Sequence, residues 1–163
     1  MPSSQLLRCL FILAIASAGA CAAAPAGELL VRQGNGGVPC FTIPEAEEAR
    51  AGAPNFHAIT VSEAGAKTPV WKMVMPPQRT FPVTFRMCVP YAGRLPVLPQ
   101  TPAATLQPGK VYEVAIDARG PRPASAPRDY RARFCLVAQR DGALLVRHVA
   151  LGNARQRPSC AAL

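Results

Sequence analysis

Leu106-Gln-Pro-Gly-Lys-Val-Tyr112 runs straight into Glu113-Val-Ala-Ile-Asp117, and this is the sharpest local signal of architecture in the chain. Pro108-Gly109 supplies turn chemistry, because proline presets φ and glycine tolerates the positive φ of a tight reversal. The residues that follow alternate between apolar and polar, the period of a half-buried strand. Tyr112 therefore opens a strand immediately after a turn, with its phenol placed to hydrogen-bond back onto the loop it has just left.

Outward from this stretch the same pattern recurs. Short runs rich in Val, Ile, Phe, Tyr and Thr sit between Pro and Gly punctuation, and helical periodicity is almost absent. Strands are expected over about 28–32, 38–43, 57–64, 69–75, 82–89, 111–118, 130–139 and 143–150. In the seventh, Tyr130, Ala132, Phe134, Leu136 and Ala138 share one face and Arg131, Arg133, Cys135 and Gln139 the other, so one face is core and one is wet. Trp71 alternates with Lys72 and is expected at the centre of the core. Asp141-Gly142 predicts a tight hairpin between the last two strands. Leu-x-Pro-Gly-x-x-Tyr resembles the tyrosine corner of fibronectin type III and immunoglobulin-like domains, which implies an all-β, antiparallel β-sandwich of that kind. An antibody-type domain is disfavoured, since Cys40 lies too far before Trp71. One segment departs from the β pattern: Pro44-Glu-Ala-Glu-Glu-Ala-Arg50 places acidic residues after a proline, a short helical start that the macrodipole favours.

The N-terminus reads as an export signal. Arg8 precedes the apolar run Cys9 to Ala16, and the small residues Ser17-Ala-Gly-Ala20 precede Cys21. The run is too short for a stable membrane-spanning helix, which needs about 20 apolar residues. Residues 1–20 are thus expected to be removed, and Cys21, preceded by a lipobox-like Ala18-Gly-Ala20, becomes the diacylated, palmitate-bearing first residue. Residues 21–27 form a tether and residues 28–163 a single domain. The protein is then periplasmic and anchored to a membrane, preferably the outer one. The net charge of +9 favours anionic partners, either acidic proteins or lipid headgroups. Nucleic acid is disfavoured by compartment.

Cys40, Cys88, Cys135 and Cys160 remain for the folded domain. Four is even, the periplasm is oxidising, and no C-x-x-C or zinc spacing occurs, so two disulfides are expected. Cys135 falls on the outer, arginine-bearing face within reach of the C-terminal tail. That favours Cys135–Cys160 with Cys40–Cys88, one of three possible connectivities.

Signs of catalysis are sparse. His57 and His148 are the only histidines, Ser62 and Ser125 sit in no activating turn, and no hydrolase, phosphate-loop or EF-hand motif occurs. Glu45, Glu47 and Glu48 form a small acidic cluster with no other acidic neighbour in sequence. No enzyme activity, cofactor, metal or small-molecule substrate is expected. Contacts with a partner are expected from the loops Gln78–Thr80, Gly93–Thr105 and Gly120–Arg128, the last flanked by Arg119 and carrying Arg122 and Arg128.

Five segments in order carry a family resemblance: Cys40-Phe-Thr-Ile-Pro44 with its acidic continuation, Ala58-Ile-Thr-Val-Ser62, Val70-Trp71, Cys88-Val-Pro-Tyr-Ala-Gly93 and Tyr130-Arg-Ala-Arg-Phe-Cys-Leu136. Together they resemble the type VI secretion system immunity periplasmic lipoproteins. The resemblance implies a protein that binds and neutralises a cognate toxin delivered to the periplasm. The competing expectation is a structural or assembly lipoprotein of the cell envelope.

Overall fold

The computed structural model describes residues 26–93, 98–119, 126–151 and 159–160. The expected signal peptide, Cys21, most of the expected tether, Arg122 and Ser125 lie outside the described residues. Within them the chain forms two β-sheets and one short helix. In chain order these are β1 (Gly27–Glu28), β2 (Leu30–Gln33), β3 (Pro39–Thr42), α1 (Glu45–Ala51), β4 (Asn55–Glu63), β5 (Pro69–Val74), β6 (Phe81–Pro82), β7 (Val89–Pro90), β8 (Val111–Ala118), β9 (Asp129–Ala138) and β10 (Leu144–Val149).

The larger sheet is centred on β9, β8 and β4, and each flank is filled by two short strands in tandem. Along β9 these are β1, opposite Tyr130 and Arg131, and β10, opposite Arg133 to Ala138. Along β4 they are β6, opposite Asn55 and Phe56, and β5, opposite Ala58 to Ser62. The smaller sheet has the order β2-β3-β7. Pairing is antiparallel except at β1, which runs parallel to β9 and so departs from the all-antiparallel expectation. The cause is the route of the chain, which lies on β9 for two residues before Leu29 carries it into the smaller sheet. Gly27 permits this, because a Cβ there would collide with the ring of the buried Tyr130.

Both sheets contribute to one core. Phe41 of β3 packs against Trp71 of β5 at 6.4 Å and Phe134 of β9 at 5.8 Å between ring centroids. Trp71 is fully buried, as its alternation predicted. Tyr112 does bond back onto the loop before it: the Gln107 N–H donates to the Tyr112 hydroxyl at 2.9 Å. Tyr112→Phe removes that acceptor and is expected to cost about 1 kcal/mol, read as a lower urea midpoint at unchanged slope. The hairpin forms as well, with Gly142 at φ 82° and the Asp141 carboxylate accepting from the Ala143 N–H.

The expected strand over 82–89 does not form. Phe81–Pro82 and Val89–Pro90 pair with different sheets, and a turn at Phe85-Arg86 separates them. Tertiary anchors override local β preference here. The Glu48 carboxylate accepts from the Phe85 N–H at 2.6 Å, the Thr42 hydroxyl donates to the Thr84 carbonyl at 2.8 Å, and Cys88 is bonded to Cys40. This is also where α1 spends its acidic first turn: Glu47 pairs with Arg50 and Glu48 holds the loop.

The disulfides are Cys40–Cys88 and Cys135–Cys160. Cys135 does share its face with Arg133, but it is not wet. It is fully buried, enclosed with Val111 beside it on β8 and its partner Cys160.

Candidate functional site

Three adjoining hollows surround Tyr91, just beyond β7. The first, about 240 Å³, is lined by Met73, Phe81, Met87, Val89 and Gly93 together with Cys88 and Pro90. The second, about 300 Å³, lies between Gly36–Pro39, Tyr91-Ala92, Ala103–Leu106 and the side chains of Leu136 and Leu144. The third, about 510 Å³, shares Cys88 and Pro90 with the first and Val38 and Tyr91 with the second. They adjoin one another through these shared residues and are mostly apolar, a candidate concavity beside Tyr91.

Several bonds hold its walls. Cys40–Cys88 ties β3 to the approach of β7. The Tyr91 N–H donates to the Pro39 carbonyl and its hydroxyl to the Ala104 carbonyl, both within 2.8 Å. The Tyr91 ring packs edge-on to Trp71 at 5.4 Å. Ala92 turns the chain at φ 57°, the one non-glycine residue with positive φ among the described residues. Such conformations cost about 1–3 kcal/mol and concentrate at functional sites. On the rim, Val38 is 39 % exposed.

The Tyr91 phenol is pushed up to about 12, first by burial and second by the neighbouring Tyr112. An unfolded tyrosine ionises near 10. Between the two values the folded state keeps a proton that the unfolded chain releases. The stability gained is complete below about pH 10 and is lost as pH rises toward about 12. Ultraviolet absorbance titration should therefore show a late phenol that vanishes in Tyr91→Phe. Its persistence in that variant would overturn the assignment to Tyr91.

The residues nominated from sequence are placed as follows. Ser62 lies on the outer face of β4, His57 is buried within the same strand, and His148 sits on β10, three strand spacings or about 14 Å away. No serine–histidine pair is assembled from them. The His57 Nδ1 atom is buried without a hydrogen-bond partner. Among the described residues no group of three His, Cys, Asp or Glu could hold a metal ion. On the outer face Arg131 and Arg133 both reach Glu113, at 3.5 and 3.1 Å, and Arg119 reaches Asp117 at 3.3 Å.

The second half of Gly93–Thr105, where partner contacts are expected, is held against a strand edge while residues 101–105 stay exposed. Residues 99–104 run along the open edge of β5, where the Val74 N–H donates to Pro99, Thr101 to Lys72 and Ala104 to Val70. Gln100 Oε1 also accepts from the Trp71 indole at 3.4 Å. The loop ends nonetheless meet the concavity through Gly93 and Ala103–Thr105. Gln78–Thr80 is an exposed turn, and most of Gly120–Arg128 lies outside the described residues. Tyr91 stood out in sequence only as a member of the Cys88–Gly93 segment, because the partners that give it a role lie elsewhere along the chain. Compared with known proteins, the chain matches no family model, no curated protein and no solved structure.

Proposed function

We propose that this protein is a periplasmic, lipid-anchored immunity protein of the type VI secretion kind, which binds and neutralises a toxin acting in the periplasm. The fold under this reading is an immunoglobulin-like sandwich, a reading supported by the chain's passage between sheets at Leu29 and by the Tyr112 corner. Cys21 is the anchor, the outer membrane is the preferred site, and the protein acts by occlusion rather than catalysis.

The observation that carries the reading is the apolar concavity around Tyr91. A hollow braced by a disulfide and by main-chain hydrogen bonds loses little entropy on binding, and so suits an inhibitor that must hold a folded partner tightly. The net positive charge of the chain favours an acidic partner. The test is a pull-down with the mature domain, produced with its disulfides formed, from envelope extracts containing the product of the adjacent gene. Capture of a secreted toxin that survives about 0.5 M salt, where screening acts within roughly 4 Å, supports a desolvated interface. Val38→Asp, a change on the exposed rim, should weaken that capture tenfold or more. Capture of resident envelope components alone would replace this reading with that of an assembly lipoprotein.

A further inference from the structure

The outer edges of β2 and β10 lie alongside each other, yet β2 pairs only with β3 and β10 only with β9. Two side chains fill the gap. Gln33 of β2 reaches β10, where its Nε2 donates to the Leu144 carbonyl at 2.7 Å and its Oε1 accepts from the Val146 N–H at 2.6 Å. His148 of β10 reaches back, with Nε2 at 3.0 Å from the Val31 nitrogen and 2.9 Å from the Val31 oxygen. It accepts from the first or donates to the second according to its tautomer. Each strand thus lends the other a side chain in the position of a missing peptide group.

The remaining edges are blunted differently. The β5 edge is covered by residues 99–104, which include Pro99 and Pro102, while β6 and β7 are two residues long and end in Pro82 and Pro90. Among the described residues only β2 and β10 present Pro-free edges of four or more residues, and β10 reads Leu-Leu-Val-Arg-His-Val. Leu145 on it is 37 % exposed. Exposed edges of this composition template pairing with another chain. Gly37 closes the end of the seam: at φ 78° it passes so near the Leu144 carbonyl that a Cβ would sit 2.9 Å from that oxygen.

We propose that Gln33 and His148 are edge guards, strand surrogates that deny β2 and β10 to a second copy of this chain and keep the protein monomeric. The test is the double variant Gln33→Met, His148→Leu, which keeps bulk and removes hydrogen bonding. Sedimentation should show concentration-dependent dimers where the parent remains monomeric, and His148→Gln, which still accepts and donates, should not dimerise. Amide hydrogen exchange on the single variants provides an independent reading. Gln33→Met should speed exchange at Val146 by tenfold or more while leaving Val31 unchanged, and His148→Leu should do the reverse. A monomeric double variant overturns the proposal, as does exchange that accelerates uniformly across the sheets.

Discussion

Reducing both disulfides should lower the unfolding free energy by about 7.5 kcal/mol. Cys40–Cys88 and Cys135–Cys160 span 48 and 25 positions of sequence, and the two loops do not overlap. In the chain-entropy account such closures contribute about 4 and about 3.5 kcal/mol, and separate loops add. A domain of this size has a total stability of about 5–15 kcal/mol, so the reduced protein would be marginal or unfolded. With a urea slope of about 2 kcal/mol per molar, the midpoint should fall by roughly 4 M. Paired alanine variants should rank the same way, Cys40→Ala/Cys88→Ala costing more than Cys135→Ala/Cys160→Ala. Alanine is the suitable replacement because Cys135 is fully buried and a serine hydroxyl there would need a partner. An unchanged midpoint after reduction would mean that the sheets hold without their staples.

Trp71→Ala should cost about 3–5 kcal/mol, the range for truncating a fully buried aromatic. Trp71 is in contact with the smaller sheet through Phe41 and with the wall of the concavity through Tyr91. Its loss therefore loosens the core and the candidate site together. Two readouts separate these effects. Chemical unfolding followed by circular dichroism gives the stability, while the late titration of Tyr91 should move back toward the ordinary value near 10 as water enters beside it. Trp71→Phe, which keeps a ring in place, should cost markedly less. Since Trp71 is the sole tryptophan, fluorescence of the parent reports directly on this junction. A loss below about 1 kcal/mol in Trp71→Ala would contradict its central place in the core.

What could be read along the chain is what short-range physics controls. The Tyr112 corner, the Asp141-Gly142 hairpin, the core face of β9 and the burial of Trp71 each depend on residues within a few positions of one another, where side-chain alternation and turn chemistry act. The disulfide pairing was favoured from strand parity but not decided by it, since parity placed Cys135 on a wet face and the fold buries it. What could not be read depends on contacts between distant segments. Val83-Thr84-Phe85 has the composition of a strand and lies in a loop because Glu48, Thr42 and Cys40 hold it there. Residues 99–104 resemble a free loop and instead cover β5, since an open strand edge has unmet hydrogen bonds that any nearby extended chain can satisfy. Likewise Tyr91, Gln33 and His148 are ordinary residues in sequence. Each acquires its role only when folding brings a backbone carbonyl or amide to it from elsewhere in the chain: 13 positions away for Tyr91 and more than 110 for the other two. Periodicity carries no information about such pairs, because hydrogen bonding depends on separation in space and not along the chain.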